Sequence, residues 1–341
     1  MSSLAVVTDP VPIGPGILPG LVFAFRVGPD GVAEPLPIGR PIEVPAAEGG
    51  WLWLHFNLAD QRACHWLASA PIPAPARALL VALHDHQQLY AASDCIYGVF
   101  CDLVRDLDGA LDRTAYMNFV ASERLVVTGR RRSLQAVDAM QRAFGEGRKV
   151  ANPAALIEGI VGEVAAGIDR LLEDLVRSLD RTEDMILIEE VADERRLLGR
   201  VRRTCVHLHR QLQGLKTVLR RFDESDEEIE ILPAIAIATD RLAQRLDALD
   251  QEVVAVQERA RLMHDEIAGR LSEESARNIN VLAILSVVFL PATLVTGIFG
   301  MNTAGMPLTA TPHGSFWAIG IVAAAAGFAY WLLRRMGVIK R

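Results

Sequence analysis

The sequence predicts an α+β membrane protein, in which an N-terminal α/β cytosolic domain precedes long coiled-coil stalk helices and two C-terminal transmembrane helices. Three observations predict this fold class: mixed strand and helix patterns early in the chain, apolar seams with a period near 3.5 residues in the middle, and two uncharged apolar runs near the end. The predicted domains are 1–150, 151–280 and 281–334, and a basic cytoplasmic tail follows at 335–341.

The charges of the chain are unevenly distributed. The 341 residues carry 35 Lys and Arg and 42 Asp and Glu, a net charge of −7. From Asn278 onward there are four basic residues and no acidic one, so residues 1–277 carry −7 − 4 = −11. With 51% hydrophobic residues, this pattern argues against an ordinary soluble protein. It also argues against a nucleic-acid partner, which would require a basic domain.

The first 150 residues mix strand and helix patterns. Short helices fit at 60–70, 74–85 and 133–144. Together with the strand-like segments, they predict an α/β domain, although the order of the strands does not follow from these patterns. The segments with the composition of buried strands are Trp51–Phe56, Cys95–Cys101, Ala115–Val120 and Arg124–Thr128.

Two long helices are predicted next. Asn152 and Pro153 indicate the start of the first, because Asn caps helices and Pro suits their first turn. It is expected to run to about Glu190, and the second helix begins near Asp193. Their apolar residues recur with a period near 3.5, which predicts an antiparallel coiled-coil pair. The seam residues are Ile157, Val161, Val164, Ile168, Leu171, Leu175 and Leu179, then Leu198, Val201, Cys205, Leu208, Leu212, Leu215 and Leu219.

A third helix is predicted from about Ala234 to about Gly300, because no cluster of Pro and Gly interrupts its pattern before the apolar run. At 1.5 Å per residue it would be on the order of 100 Å long and continuous with the first span. Its seam residues are Leu242, Leu246, Leu249, Val253, Val256, Ala260, Met263 and Ile267.

Two apolar runs lie within the 56 uncharged residues between Arg277 and Arg334. Each is near the length needed to cross a hydrocarbon core of about 30 Å, and they predict spans at about 281–301 and 316–334. Basic residues flank the hairpin, whereas its short connector has none. The positive-inside bias therefore places both termini in the cytoplasm and the connector outside, as expected for a multi-pass protein of the inner (plasma) membrane.

The motif Gly300-Met301-Asn302 stands at the end of the first predicted span, after the run FLPATLVTGIF. At this position, and with this domain plan, the motif resembles the CorA family of divalent-cation transporters. The run before the motif and the segment Trp53–Asn57 look closest to the ZntB branch, which is associated with zinc. The resemblance implies a homopentamer with an axial pore and the motif at its outer entrance.

Counting back from Asn302, a stripe of residues falls on one face of the helix with spacings of three to five. We expect hydroxyl groups in the stripe to offer oxygen to a hydrated cation and its aliphatic residues to form constrictions that exclude water. The alternative is that the hydroxyl groups only bond back to their own helix. The residues are Gly297, Thr293, Leu290, Ser286, Leu282 and Ile279, together with Gly300, Met301 and Asn302. Asn302 is the candidate metal contact, through the water of the ion.

The identity of the ion stays open. Leu308-Thr309 follows Met306-Pro307 where magnesium-transporting members of the family commonly have an acidic residue, and this departure favours zinc. Neither span contains Cys or His, so zinc would move hydrated or through oxygen ligands. We therefore expect transport of Zn²⁺, with Mg²⁺, Co²⁺ and Ni²⁺ as alternative substrates.

Other clusters have metal-binding residue types. His84-Asp85-His86 and Cys205-Val206-His207-Leu208-His209 are expected to reflect packing and solvation rather than metal binding. An acidic run is either a solvated turn or a regulatory site for cytosolic divalent ions. It comprises Asp223, Glu224, Asp226, Glu227 and Glu228.

Three functional interpretations fit the sequence. The first is a zinc-favouring transporter, the second a CorA-type Mg²⁺ channel, and the third a membrane-anchored coiled-coil signalling or scaffold protein. An enzyme is not expected, because the sequence has no phosphate loop, nucleophile elbow or HExxH motif. No cofactor is expected either, and the divalent cation is the substrate.

Overall fold

The computed structural model describes residues 11–12, 18–45, 50–92, 95–104, 113–187, 194–223, 232–300 and 313–335. The chain divides into two compact units, 1–262 and 263–341. The predicted domain boundaries at residues 150, 280 and 334 stay predictions.

The described part of the first unit begins with nine strands and three short helices. The strands are β1 (Val11–Pro12), β2 (Leu21–Val27), β3 (Ala33–Pro35), β4 (Glu43–Val44), β5 (Trp51–Asn57), β6 (Gln88–Ala92), β7 (Cys95–Val104), β8 (Arg113–Ser122) and β9 (Leu125–Arg130). The helices are α1 (Gln61–Ser69), α2 (Ala74–Val81) and α3 (Gln135–Gly145). The four strands and three helices expected from the sequence are confirmed. Strands β1 to β4 and β6 were not predicted from the sequence; β1, β3 and β4 have only two or three residues, whereas β2 is a seven-residue strand, LVFAFRV, of strand-forming composition.

Seven strands form one sheet in the order β3-β2-β5-β9-β8-β7-β6, and β1 pairs with β4 separately. In the large sheet β5 and β9 run parallel, and the other neighbours are antiparallel. Residues 51–56 of β5 are all buried, because this central strand is covered on both faces. Leu54 belongs to the core with α1 and α2, while the ring of Trp53 meets Phe144 of α3 at 5.3 Å on the other face. The N-terminal α/β domain is thereby confirmed.

Helix α2 ends earlier than the sequence indicates. The sequence pattern predicts a helix over 74–85, but α2 ends at Val81. The reason lies on β8, where the buried amide of Asn118 donates to the carbonyl oxygens of Leu79, Leu80 and Ala82 at 3.2, 2.9 and 3.2 Å. The last carbonyl groups of a helix need such partners, and this partner is distant in sequence.

Three long helices follow: α4 (Pro153–Leu187), α5 (Glu194–Asp223) and α6 (Leu232–Phe299). The expected cap of α4 is present, since Asn152 Oδ1 accepts a hydrogen bond from the Ala155 N–H at 2.8 Å. All seam residues predicted for α5 and α6 are buried, and so are those of α4 apart from the half-buried Leu175.

Helix α6 contacts both helices of the predicted pair, α4 and α5, so three helices form a bundle in the first unit. Glu158 and Asp180 of α4 pair with Arg241 and Arg259 of α6, so these two helices run in the same direction. Helix α5 runs against α6, since Arg220 pairs with Asp247 while His209, earlier in α5, pairs with Asp250. The periodic patterns predict the buried seam of each helix but do not show that α6 contacts both α4 and α5.

The second unit contains the C-terminal part of α6 and helix α7 (Gly314–Arg335). Helix α6 has 68 residues, which confirms the single long helix expected from the sequence, and α7 has 22 residues.

Candidate functional site

The C-terminal part of α6 is the candidate site. Among the described residues, one helix is long and apolar enough to cross a membrane, judged by length and composition, and it lies within Arg241–Ile298. The apolar part of α7, Ile319–Trp331, is shorter. The presence of two spans therefore stays a prediction, although all 22 residues of α7 would extend about 33 Å as a helix.

The predicted stripe lies along one side of α6. From Ile279 to Gly300 its members occupy an arc of about 80° around the helix axis. All of them are exposed, and Ile279, Leu282 and Leu290 expose 63, 65 and 66% of their surface. This is a continuous face that another element can cover, with large aliphatic side chains separated by small or hydroxyl-bearing residues.

The two hydroxyl groups of the stripe are hydrogen-bonded to their own helix. Ser286 Oγ donates to the carbonyl oxygen of Leu282 at 2.8 Å, and Thr293 Oγ1 lies 2.7 Å from the carbonyl oxygen of Phe289. Each hydroxyl has only one hydrogen, so its oxygen keeps lone pairs that can accept. A hydrated cation points water hydrogens outward and needs acceptors of this kind. Bonding back to the helix thus orients these oxygens and is compatible with a role in a pore.

Pro291 lies within α6, between the two hydroxyl groups. Proline has no N–H, so the carbonyl oxygen of Val287 receives no helical hydrogen bond from position 291. This frees one further acceptor in the apolar part of the helix, which the residue types of the stripe alone did not reveal.

Some of the predicted residues lie outside the described part of the chain. These are Met301 and Asn302 of the motif, and Glu224, Asp226, Glu227 and Glu228 of the acidic run. Gly300 ends the described segment, and its N–H donates to the carbonyl oxygen of Thr296 at 2.9 Å. Asp223 is the last residue of α5.

The histidine clusters are divided among separate partners. His84 Nε2 lies 2.8 Å from the carbonyl oxygen of Leu79, and His86 Nδ1 lies 2.7 Å from Asp85 Oδ1. On α5, His207 contacts Thr114 and Gln211, while Cys205 is buried in the seam. In the described ranges, no group of three or more His, Cys, Asp or Glu residues is arranged to hold a metal ion.

A polar layer between α5 and α6 does not follow from the sequence pattern. The carboxylate of Asp250 meets His209 Nδ1 and Gln213 Nε2, each at 2.6 Å, and Lys216 Nζ at 3.5 Å. Lys216 also pairs with Asp247 and lowers the pKa of that carboxyl group. Lys216 and Asp250 are buried, at 8 and 7% exposure. The sequence hinted at this layer only through Lys216 and Asp250, each of which directly follows a seam residue of its helix.

The α/β domain, the long helices and the apolar end of α6 together match a family of metal-ion transport proteins. The family of CorA-like Mg²⁺ transporter proteins matches residues 48–335, and the chain belongs to this family. Transport of divalent cations is the activity of the CorA family.

Curated relatives with similar sequences carry the name zinc transport protein ZntB. The protein from Klebsiella pneumoniae is 25% identical over 325 residues, which cover 93% of this chain and 96% of that protein. The protein from Enterobacter sp. is 26% identical with the same coverage.

Solved structures share the fold over most of the chain. The full-length CmaX protein superposes with a TM-score of 0.75 at 21% identity and covers 93% of this chain and 97% of its own. The CorA magnesium transporter from Methanocaldococcus jannaschii has a TM-score of 0.74 at 17% identity and covers 93 and 99%.

Proposed function

We propose that the chain is one subunit of a homo-oligomer that transports divalent cations, Zn²⁺ in preference to Mg²⁺, through a pore on its symmetry axis. The observation that carries the proposal is the stripe on α6, in which Ser286 and Thr293 donate to backbone carbonyls and keep their oxygen lone pairs exposed. Family membership supplies the reaction class and makes transport, rather than catalysis, the expected activity.

The chemistry follows from the cost of dehydrating a divalent ion. A bare dication in hydrocarbon is prohibitively unfavourable, so the pore must retain the water of the ion or replace it with oxygen ligands. Asn302 would contact the hydrated ion at the outer entrance, and Thr293 and Ser286 would accept hydrogen bonds from its water further in. Leu290, Leu282 and Ile279 would close the path by excluding water.

A single stripe cannot enclose a path, so several copies are required. Five copies is the number expected for the family. In this proposal α6 and α7 provide two spans of the inner membrane, with both termini in the cytoplasm and the connector, from about Gly300 to Ser315, outside. The proposed outer position of the motif follows from this orientation.

The preference for Zn²⁺ rests on the ZntB relatives and on the uncharged Leu308-Thr309 after Met306-Pro307. The stripe itself does not separate zinc from magnesium, because its ligands are oxygen atoms and both ions would be hydrated there. A CorA-type Mg²⁺ channel is the second candidate, favoured by the match to the CorA-like Mg²⁺ transporter family and by the magnesium transporter fold.

Flux into liposomes tests the proposal. The purified full-length chain is reconstituted, and uptake of Zn²⁺, Mg²⁺, Co²⁺ and Ni²⁺ is followed with metal-sensitive dyes, with and without a pH gradient. We expect Zn²⁺ uptake that Asn302→Ala lowers about tenfold, since it removes the contact at the entrance. Asn280→Ala is the matched control, because Asn280 lies off the stripe and its loss should leave uptake unchanged.

The outcomes separate the candidates. Faster entry of Mg²⁺ than Zn²⁺ would select the CorA-type Mg²⁺ channel. If the wild-type chain admits none of the four cations, transport is excluded and a membrane-anchored signalling or scaffold role takes its place.

A further inference from the structure

Helix α5 carries a charge opposite to that of the chain. It contains nine Lys and Arg and two acidic residues, a net charge of +7, so the rest of the chain carries −7 − 7 = −14. Six exposed arginines lie between residues 195 and 210 of α5, and within the described part of the chain none of these six has an ion-pair partner, whereas the exposed Arg220 pairs with Asp247. They are Arg195, Arg196, Arg200, Arg202, Arg203 and Arg210, and we call this surface the arginine face.

The arginine face has a seven-residue repeat. Arg196, Arg203 and Arg210 follow one another at intervals of seven, and Gly199 and Val206 repeat at the same interval beside them. Val206 is 40% exposed, and a Cβ atom on Gly199 would meet nothing within 4 Å. In coiled coils, a line of small or apolar residues packs against the partner helix, and the charged residues that flank it favour a partner of opposite charge. The arginine face has this arrangement at the same seven-residue period.

Helix α4 carries the complementary pattern. It has eight acidic and three basic residues, a net charge of −5. Asp169, Glu173, Asp180 and Glu183 are exposed along one side, with the half-buried Val176 among them, and we call this side the acidic strip. Glu173 and Asp180 are seven residues apart, the same interval as in the arginine face.

The two surfaces lie on opposite sides of the three-helix bundle. Arg259 of α6 contacts Asp180 and Glu183, so the acidic strip lies along the α4–α6 edge. The arginine face lies on the side of α5 opposite to its buried seam. Within one chain these surfaces cannot meet. Between identical copies, a contact of unlike surfaces on opposite sides is heterologous and can close into a ring.

We propose that the arginine face of α5 in one copy packs against the acidic strip of α4 in the next copy. This inference rests on the homo-oligomer of the proposed function. Arginine suits the contact, because its planar guanidinium binds carboxylates through two hydrogen bonds. The contact selects the neighbour and its orientation in the ring.

The experiment measures dissociation of the full-length chain in neutral detergent by native mass spectrometry, over a range of protein and NaCl concentrations. Replacing three arginines at the heptad interval, R196E/R203E/R210E, should raise the concentration of half-dissociation about tenfold at low salt. Adding D169R/E173R to that variant should restore most of the loss, which a folding defect would not allow. The matched control, R26E/R40E/R132E, makes the same change of charge at exposed arginines elsewhere.

The results distinguish this contact between copies from a general charge effect and from lipid binding. Equal half-dissociation concentrations for the reversal variant and the control would overturn the proposal. So would a variant that keeps its assembly and loses only its binding to vesicles containing phosphatidylglycerol, since the arginine face would then bind lipid. In either case an intact oligomer that still transports cations leaves the proposed function standing. A wild-type chain that is monomeric throughout would refute the oligomer itself.

Discussion

The indole Nε1 of Trp53 donates a hydrogen bond to Thr128 Oγ1 at 2.9 Å, across the parallel pair of strands β5 and β9. The same oxygen lies 2.8 Å from His55 Nδ1, and the ring of Phe23 stacks on His55 at 4.8 Å. Burial, aided by the charge of Arg130, lowers the pKa of His55 to about 3. The core of the α/β domain therefore holds a neutral histidine.

Acid should destabilise the domain through His55. Its pKa is 6.5 in the unfolded reference and about 3 in the fold, so between these values the unfolded state binds more protons and stability decreases as the pH is lowered. Stabilisation by the neutral ring is complete above pH 6.5, and about 2 kcal/mol is lost by pH 5. His55→Phe should remove this part of the pH dependence in denaturant unfolding from pH 7.5 to 5, whereas the exposed His65→Phe should retain it. Identical slopes for both variants would contradict the assignment.

Asp250 should be important for the stability of the helical bundle. Asp250→Asn keeps the shape of the side chain but removes the charge that faces Lys216 and His209. Because the site is buried, we expect a loss of about 2 to 3 kcal/mol in the free energy of unfolding. Asp174→Asn, at an exposed pair on α4, should cost less than about 0.5 kcal/mol. Equal losses would show that the polar layer is not a coupled unit.

Gly214 should resist replacement because of Gln87. A Cβ atom at position 214 would lie 2.8 Å from Gln87 Nε2, which donates to the carbonyl oxygen of Gln211 at 2.8 Å. We expect Gly214→Ala to lower the free energy of unfolding by about 1 kcal/mol despite the better helix propensity of Ala.

Two variants serve as controls for this clash. Gly162→Ala on α4 meets nothing within 4 Å and should stabilise the chain by about 0.5 kcal/mol or more. In a Gln87→Ala background, Gly214→Ala should also become stabilising. Destabilisation that persists in that background would mean that Gln87 is not the obstacle.

Leu290 should act as a constriction if the stripe lines the pore. Leu290→Ala would widen the path and allow water to enter, so we expect cation uptake into liposomes to rise several-fold. Leu294→Ala is the matched control, because Leu294 is similarly exposed, at 61%, but lies off the stripe. If both variants behave alike, the stripe does not face the pore.

Much of the fold could be predicted, because the apolar residues that recur at a regular period along a helix or strand are the ones that become buried. The seams of α5 and α6, the cap at Asn152 and the central strand β5 all follow from residues that are neighbours in the chain. The end of α2 does not, since Asn118, which supplies its cap, is distant along the chain. For the candidate site, the stripe follows from helical spacing, but the carbonyl groups to which its hydroxyls bond required coordinates.

Composition and period depend only on the order of residues, and they establish the acidic N-terminal body, the long amphipathic helices and the uncharged apolar end of the chain. The sequence also carried the motif through which the family was recognised. Coordinates were needed to show that α6 contacts both α4 and α5, that Asp250 and Lys216 form a buried layer, and that the arginine face and the acidic strip lie on opposite sides. These relationships join residues far apart in the chain, and only packing in three dimensions brings them together or keeps them apart.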